Sequence, residues 1–132
     1  MPRILILEDD FDTAVSWRTA LEDAGHQVET CLSSHEAIVH QNAGDFDVYI
    51  VDLLIKGGVE GDSGQVFLRH LSASPDEDKL LARVIGVSGF TPMGSLAPVE
   101  VIFGAHRVNK IMIKPFTEEE LLENINTVLS PV

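Results

Sequence analysis

Phe46-Asp47-Val48-Tyr49-Ile50-Val51-Asp52 is a nearly unbroken run of β-branched and aromatic residues. It has the length of a strand and is too apolar to lie half-exposed. Such a segment belongs inside a parallel sheet that is covered on both faces. It ends abruptly on a carboxylate, and Leu53-Leu54-Ile55-Lys56-Gly57-Gly58 then opens a loop. In open parallel sheets, ligands bind in the crevice at the carboxyl ends of the strands. Asp52 is therefore either delivered to a site or is an ordinary strand-ending acid that caps its own loop. What stands at the ends of the other strands decides between these.

Ile4 to Leu7 forms a buried strand that ends on Glu8-Asp9-Asp10, three carboxylates that repel unless a cation or water intervenes. Gln27 to Cys31 is a short second strand. Arg83 to Ser88 is a fourth, ending on a hydroxyl, and Asn109 to Ile113 a fifth, followed by Lys114-Pro115-Phe116. Helices are expected between them. The first is capped by Asp12 or Thr13, buries Ala14, Val15, Trp17 and Leu21, and stops at Gly25. The second, capped by Ser33 or Ser34, runs through Ala37, Ile38 and Val39. The third covers 65–71, and a weakly patterned fourth covers 94–104. In the last, Thr117 precedes the acids Glu118, Glu119 and Glu120, as the helix dipole favours. Its buried face is Leu121, Leu122, Ile125, Val128 and Leu129. Five strands alternating with five helices predict a doubly wound α/β domain. Trp17 reads as packing or partner surface, 74–78 as an exposed acidic turn, and the histidines as solvated surface.

At 132 residues the chain is expected to be one domain, 1–132, with a core large enough to need no staples. One tryptophan and one tyrosine point to an aliphatic core. A formal charge of -12 leaves no basic surplus to neutralise phosphates, which argues against nucleic-acid binding. Cys31 stands alone, so a reducing cytoplasm is the simplest compartment. No signal-peptide pattern or membrane-length apolar run is present.

The strand ends thus carry Glu8 and Asp9, Asp52, Ser88 and Lys114. Carboxylates at two adjacent strand ends make a hard-oxygen pocket suited to Mg²⁺. A hydroxyl and an ammonium would meet the oxygens of a phosphoryl group, and Asp52 could serve as its nucleophile. The plainer reading is a buried ion pair of Lys114 with Asp52 or Asp9, which would not require two further carboxylates. Lys114-Pro115 is expected to be cis, a conformation that an X-Pro bond tolerates.

The motifs ILILEDD, FDVYIVD, DSGQVFLRHL, VIGVSG and MIKPF, in that order, resemble a receiver domain of a two-component response regulator of the chemotaxis-receiver kind. The resemblance implies a flavodoxin-like five-stranded sheet of order 2-1-3-4-5. It implies Asp52 as phosphoacceptor, Glu8 and Asp9 as the acidic metal pair, and Leu54 as the residue whose backbone carbonyl completes the metal shell. Ser88 would be the switch hydroxyl and Lys114 the phosphate-binding lysine. A histidine kinase or phosphotransfer protein would donate the phosphoryl group, and an unidentified downstream protein would read the last two helices and fifth strand.

The sequence also departs from that family. No proline follows the acceptor closely, and Gly64 lies 12 positions on instead of the usual eight, which lengthens the loop by four residues. The chain from Gly104 to Lys114 is about three residues longer than usual, and Ile111 replaces the usual inward-turning aromatic. The long loop 53–62, rich in glycine, is expected to be mobile. Two other functions stay open: an aspartate-nucleophile phosphatase, disfavoured because Leu54 replaces its usual second Asp, and a docking receiver that works without phosphorylation.

By the resemblance, Leu54 and Phe90 flank the approach of hydrolytic water to the acyl phosphate. Neither side chain can hold that water by a hydrogen bond. Slow self-dephosphorylation is expected, accelerated by Leu54→Asn and by Phe90→Glu when decay is followed after donor removal. Fast decay in the wild type would contradict it.

Overall fold

The structure, a computed structural model, describes residues 2–52, 64–88 and 108–130. Its elements in chain order are β1 (Arg3–Leu7), α1 (Phe11–Asp23), β2 (Gln27–Cys31), α2 (Ser34–Ala43), β3 (Val48–Asp52), α3 (Gly64–Ser72), α4 (Glu77–Leu81), β4 (Val84–Ser88), β5 (Lys110–Ile113) and α5 (Glu118–Leu129). The strands form one sheet of order β2-β1-β3-β4-β5, parallel throughout. This is the expected flavodoxin-like doubly wound fold, with five helices among the described residues. The helix expected over 94–104 and the loop 53–62 lie outside them. None of the described helices is long and apolar enough to cross a membrane.

Alternation along the strands sorts side chains into two layers. Leu5 and Leu7 of β1 join Tyr49 and Val51 of β3 beneath α2, α3 and α4. Ile4 and Ile6 join Val48, Ile50, Ile85 and Val87 beneath α1 and α5. β3 is buried along its whole length, as its unbroken apolar run requires. The first of these layers is less aliphatic than composition suggests. Phe46, Tyr49 and Phe67 pack in a chain with ring centroids 5.8 and 5.6 Å apart. The Tyr49 hydroxyl accepts the Phe46 amide, so its burial leaves no orphaned oxygen.

Helix ends follow local chemistry, with some differences from expectation. The cap of α1 is Asp10, not Asp12 or Thr13, and its carboxylate accepts from the Thr13 hydroxyl. At the other end Gly25 takes φ 96°, Gly25 N–H donates to Glu22, and His26 N–H donates to Leu21. That paired arrangement closes the helix through a left-handed glycine. Ser33 caps α2 and Thr117 caps α5, each side chain accepting an amide three residues on. Val15, expected on the buried face of α1, is exposed, as is Val39 of α2. Of the turn expected over 74–78, 74–76 is a turn, while Glu77 and Asp78 open the short helix α4, whose Leu80 and Leu81 are buried. The histidines are not all solvated: His70 stacks on Phe67 and hydrogen-bonds Gln41, and His26 Nδ1 is buried with no hydrogen-bond partner among the described residues.

Gly64 opens α3 against the end of β3. A Cβ placed there would lie 2.1 Å from the Asp52 carbonyl oxygen and 2.8 Å from Val51 Cγ1. Backbone cannot yield to that, so Gly64→Ala is expected to lower stability by roughly 1–3 kcal/mol in chemical denaturation. Gly25→Ala, in open space, should cost about 1–2 kcal/mol through its left-handed backbone alone.

Candidate functional site

Sheet register sets the level of each polar group. Leu7 lies opposite Val51, so Glu8 comes level with Asp52. Asp52 lies opposite Val87, and Ser88 opposite Ile113, which brings Ser88 and then Lys114 to the same rim. The Lys114 amide donates to the Ser88 carbonyl at 2.8 Å, carrying the ladder one residue past β5. Alternation sets the side. Glu8 shares parity with Ile4 and Ile6, Asp52 with Val48 and Ile50, and Lys114 with Met112, all residues of the α1/α5 layer.

These groups meet. The Lys114 ammonium donates to Glu8 Oε2 at 2.9 Å and to Asp52 Oδ2 at 3.3 Å. Glu8 and Asp52 are 1% and 3% exposed. One oxygen from each of Glu8, Asp9 and Asp52 lies within 4.8 Å of the others. The expected ion pair therefore exists, but its second acid is Glu8, not Asp9. Asp10 stays out of the cluster, engaged by Thr13, while its amide donates to Glu8 Oε1 at 3.3 Å. Ser88 is buried at the end of β4, and the Lys114–Pro115 bond is cis, as expected. Leu54 and Phe90 lie outside the described residues.

Among the described residues, three carboxylates gather around one ammonium, and burial and charge both act on the protonation of the site. Burial pushes the Glu8 carboxyl up to about 7, helped by its hydrogen bond to Asp52 and opposed by Lys114. Burial alone would pull the Lys114 ammonium down, but the bond to Glu8 and the charge of Asp52 hold it above its usual value. The Glu8 shift records how deeply that acid is buried, and the Lys114 shift records the carboxylates gathered around its ammonium. A cluster of hard oxygens in that condition fits a divalent cation such as Mg²⁺.

One neighbour was not expected at the site. Trp17 of α1 stacks on Phe116, centroids 5.3 Å apart and planes at 23°, and Lys114 Nζ lies 5.5 Å from the Trp17 ring centroid. Its helical spacing with Ala14 and Leu21 marks it as sheet-facing, which is as far as the sequence goes. Ile111, where the resembled family has an inward aromatic, is exposed on β5.

A parallel doubly wound sheet with acids and a lysine gathered at its carboxyl rim defines a flavodoxin-like α/β protein built around an acid–lysine site. Residues 4–126 match the response regulator receiver domain, and the chain belongs to that family. Receiver domains are phosphoacceptor modules of two-component signalling rather than independent enzymes, which sets the phosphatase alternative aside. Among solved structures, it is similar to the chemotaxis response regulator CheY4 of Vibrio cholerae (22% identity, 98% of this chain and 99% of that one, TM-score 0.81). It is also similar to the receiver domain of a signal transduction histidine kinase from Syntrophus aciditrophicus (24% identity, 98% and 90%, TM-score 0.77). A third likeness is to NtrX from Brucella abortus (19% identity, TM-score 0.78), where 97% of this chain covers 27% of that one. No curated protein shows a significant match.

The Glu8 shift has a testable sign. Its folded pKa exceeds the ordinary value of 4.5, so its contribution to stability is complete below 4.5 and lost as pH rises through about 7. In metal-free buffer, Glu8→Gln and wild type should be similarly stable near pH 4.5. Above pH 7 the variant should be the more stable, by on the order of 1–3 kcal/mol, in denaturation series across that range. A constant difference would place the titration elsewhere.

Proposed function

We propose that the chain, as a single receiver domain over 1–132, is a phosphorylatable switch. It accepts a phosphoryl group on Asp52 from a histidine kinase or phosphotransfer protein in a Mg²⁺-dependent reaction, and changes its binding to a downstream protein. The observation that carries this is the placement of Asp52: buried at the end of β3, bonded to the Lys114 ammonium and grouped with Glu8 and Asp9.

An Asp52 carboxylate oxygen attacks phosphorus, a P–O bond forms as the P–N bond of a phosphohistidine breaks, and the imidazole nitrogen leaves with the bonding pair. Lys114 moves its hydrogen bond from Asp52 to an oxygen of the arriving group and stabilises its charge. Ser88, on the adjoining strand, supplies the hydroxyl that follows the new acyl phosphate. Glu8, Asp9 and Asp52, with the Leu54 carbonyl by family resemblance, would hold Mg²⁺, which when bound neutralises charge on the transferring group. The cytoplasm is the compartment that agrees with a free, buried Cys31 and a histidine kinase donor.

Incubation with Mg²⁺ and acetyl phosphate should give one phosphoryl adduct by intact mass, absent in Asp52→Asn. Mg²⁺ should raise the melting temperature, because it binds only the native cluster, and Asp9→Asn should blunt that rise. A wild type that takes up no phosphoryl group would favour a docking module instead.

A further inference from the structure

We propose that Trp17 is a positioning residue for phosphoryl transfer, acting through Lys114; this rests on the phosphoacceptor reading above. Lys114 Nζ lies 5.5 Å from the Trp17 ring centroid, within the range at which an aromatic face attracts a cation. An ammonium has three N–H donors. Glu8 at 2.9 Å and Asp52 at 3.3 Å take two of them. The indole face attracts the charge without accepting a conventional hydrogen bond. It therefore holds the ammonium at the site while leaving a donor for a phosphoryl oxygen.

The ring is itself held in place. Trp17 is 7% exposed within the α1/α5 layer and stacks on Phe116 at 5.3 Å. Phe116 follows Lys114 by two residues, so one indole braces both the ammonium and the chain that carries it. Lysine needs such bracing, because its four-carbon stem is flexible and its charge prefers water. The Lys114 side chain is 29% exposed, which leaves it a way out of the site. A leucine at position 17 would fill the same layer but present no aromatic face.

The test compares acetyl phosphate reactivity of wild type, Trp17→Phe and Trp17→Leu at saturating Mg²⁺, with the Mg²⁺ midpoint of each taken from melting shifts. Trp17→Leu should slow adduct formation about fivefold with an unchanged Mg²⁺ midpoint, and Trp17→Phe should restore about half of the wild-type rate or more. Trp17 is the single tryptophan, so emission reports on this ring alone. Lys114→Met should shift that emission in metal-free protein, a readout independent of whether Trp17→Leu folds. Equal rates for wild type and Trp17→Leu, equally slow Phe and Leu variants, a Mg²⁺ midpoint that moves with the rate, or an emission indifferent to Lys114 would each overturn the role of Trp17. A wild type without adduct would overturn the phosphoacceptor reading itself, a separate and visible failure.

Discussion

Buried carboxylates gathered around a single lysine govern this molecule's carboxyl rim among the described residues. Glu8 and Asp52 are buried, Asp9 stands beside them, and Lys114 is the one cation bonded to the cluster among the described residues. A buried pair built only for stability would match one acid with one base, since uncompensated charge in a low-dielectric setting is costly. Here two buried acids share one lysine among the described residues, and burial lifts the Glu8 carboxyl to about 7. Either a proton or a dication completes the arrangement.

Sheet order explains why the cation is a lysine and the near acid a glutamate. β5 is two strands from β3 and three from β1. At about 4.8 Å per strand, those separations are near 10 and 14 Å. A long stem on Lys114 and an extra methylene on Glu8 together span the greater distance and close it to 2.9 Å. Asp52, on the middle strand, needs only a short side chain to meet both. Side-chain length is thus matched to topology: the long side chains follow β1 and β5, on either side of the middle strand, and the short one ends β3 itself.

Much of this was legible in sequence, because strand ends and apolar alternation are local signals. Ile4–Leu7, the run ending on Asp52, VIGVSG and MIKPF located the strands, and their terminal residues named the polar site. What escaped depends on packing. The helix Glu77–Leu81 has only five residues and little intrinsic stability, so it rests on burying Leu80 and Leu81. Its acids ahead of that apolar pair were a faint signal, read as a solvated turn. Val15 and Val39 fell within helical runs but on their outward sides, which spacing over so few turns resolves poorly. Glu8 displaced Asp9 as the partner of Lys114 because side-chain parity continues past the strand end, a fact visible only once the register is known.

Asp52 is also where the two layers of the fold come closest to a common point. On one side its carboxylate is bonded to Lys114, and through that residue lies beside Trp17 and Phe116 of the α1/α5 layer. On the other, its backbone carbonyl is in close contact with Gly64, the first residue of α3, with no room for a side chain between them. A change of charge or size at this carboxylate therefore acts on the α1/α5 layer through the Lys114 ammonium, and on α3 through close backbone contact. Close-packed layers respond to such a push by stepping between arrangements rather than by yielding gradually. With Ile111 exposed in place of an inward aromatic, displacement of the Lys114 ammonium is felt first, among the described residues, by the indole of Trp17 and the ring stacked on it. The lysine bonded to Asp52 is thus also the link from that carboxylate to the helices that cover it.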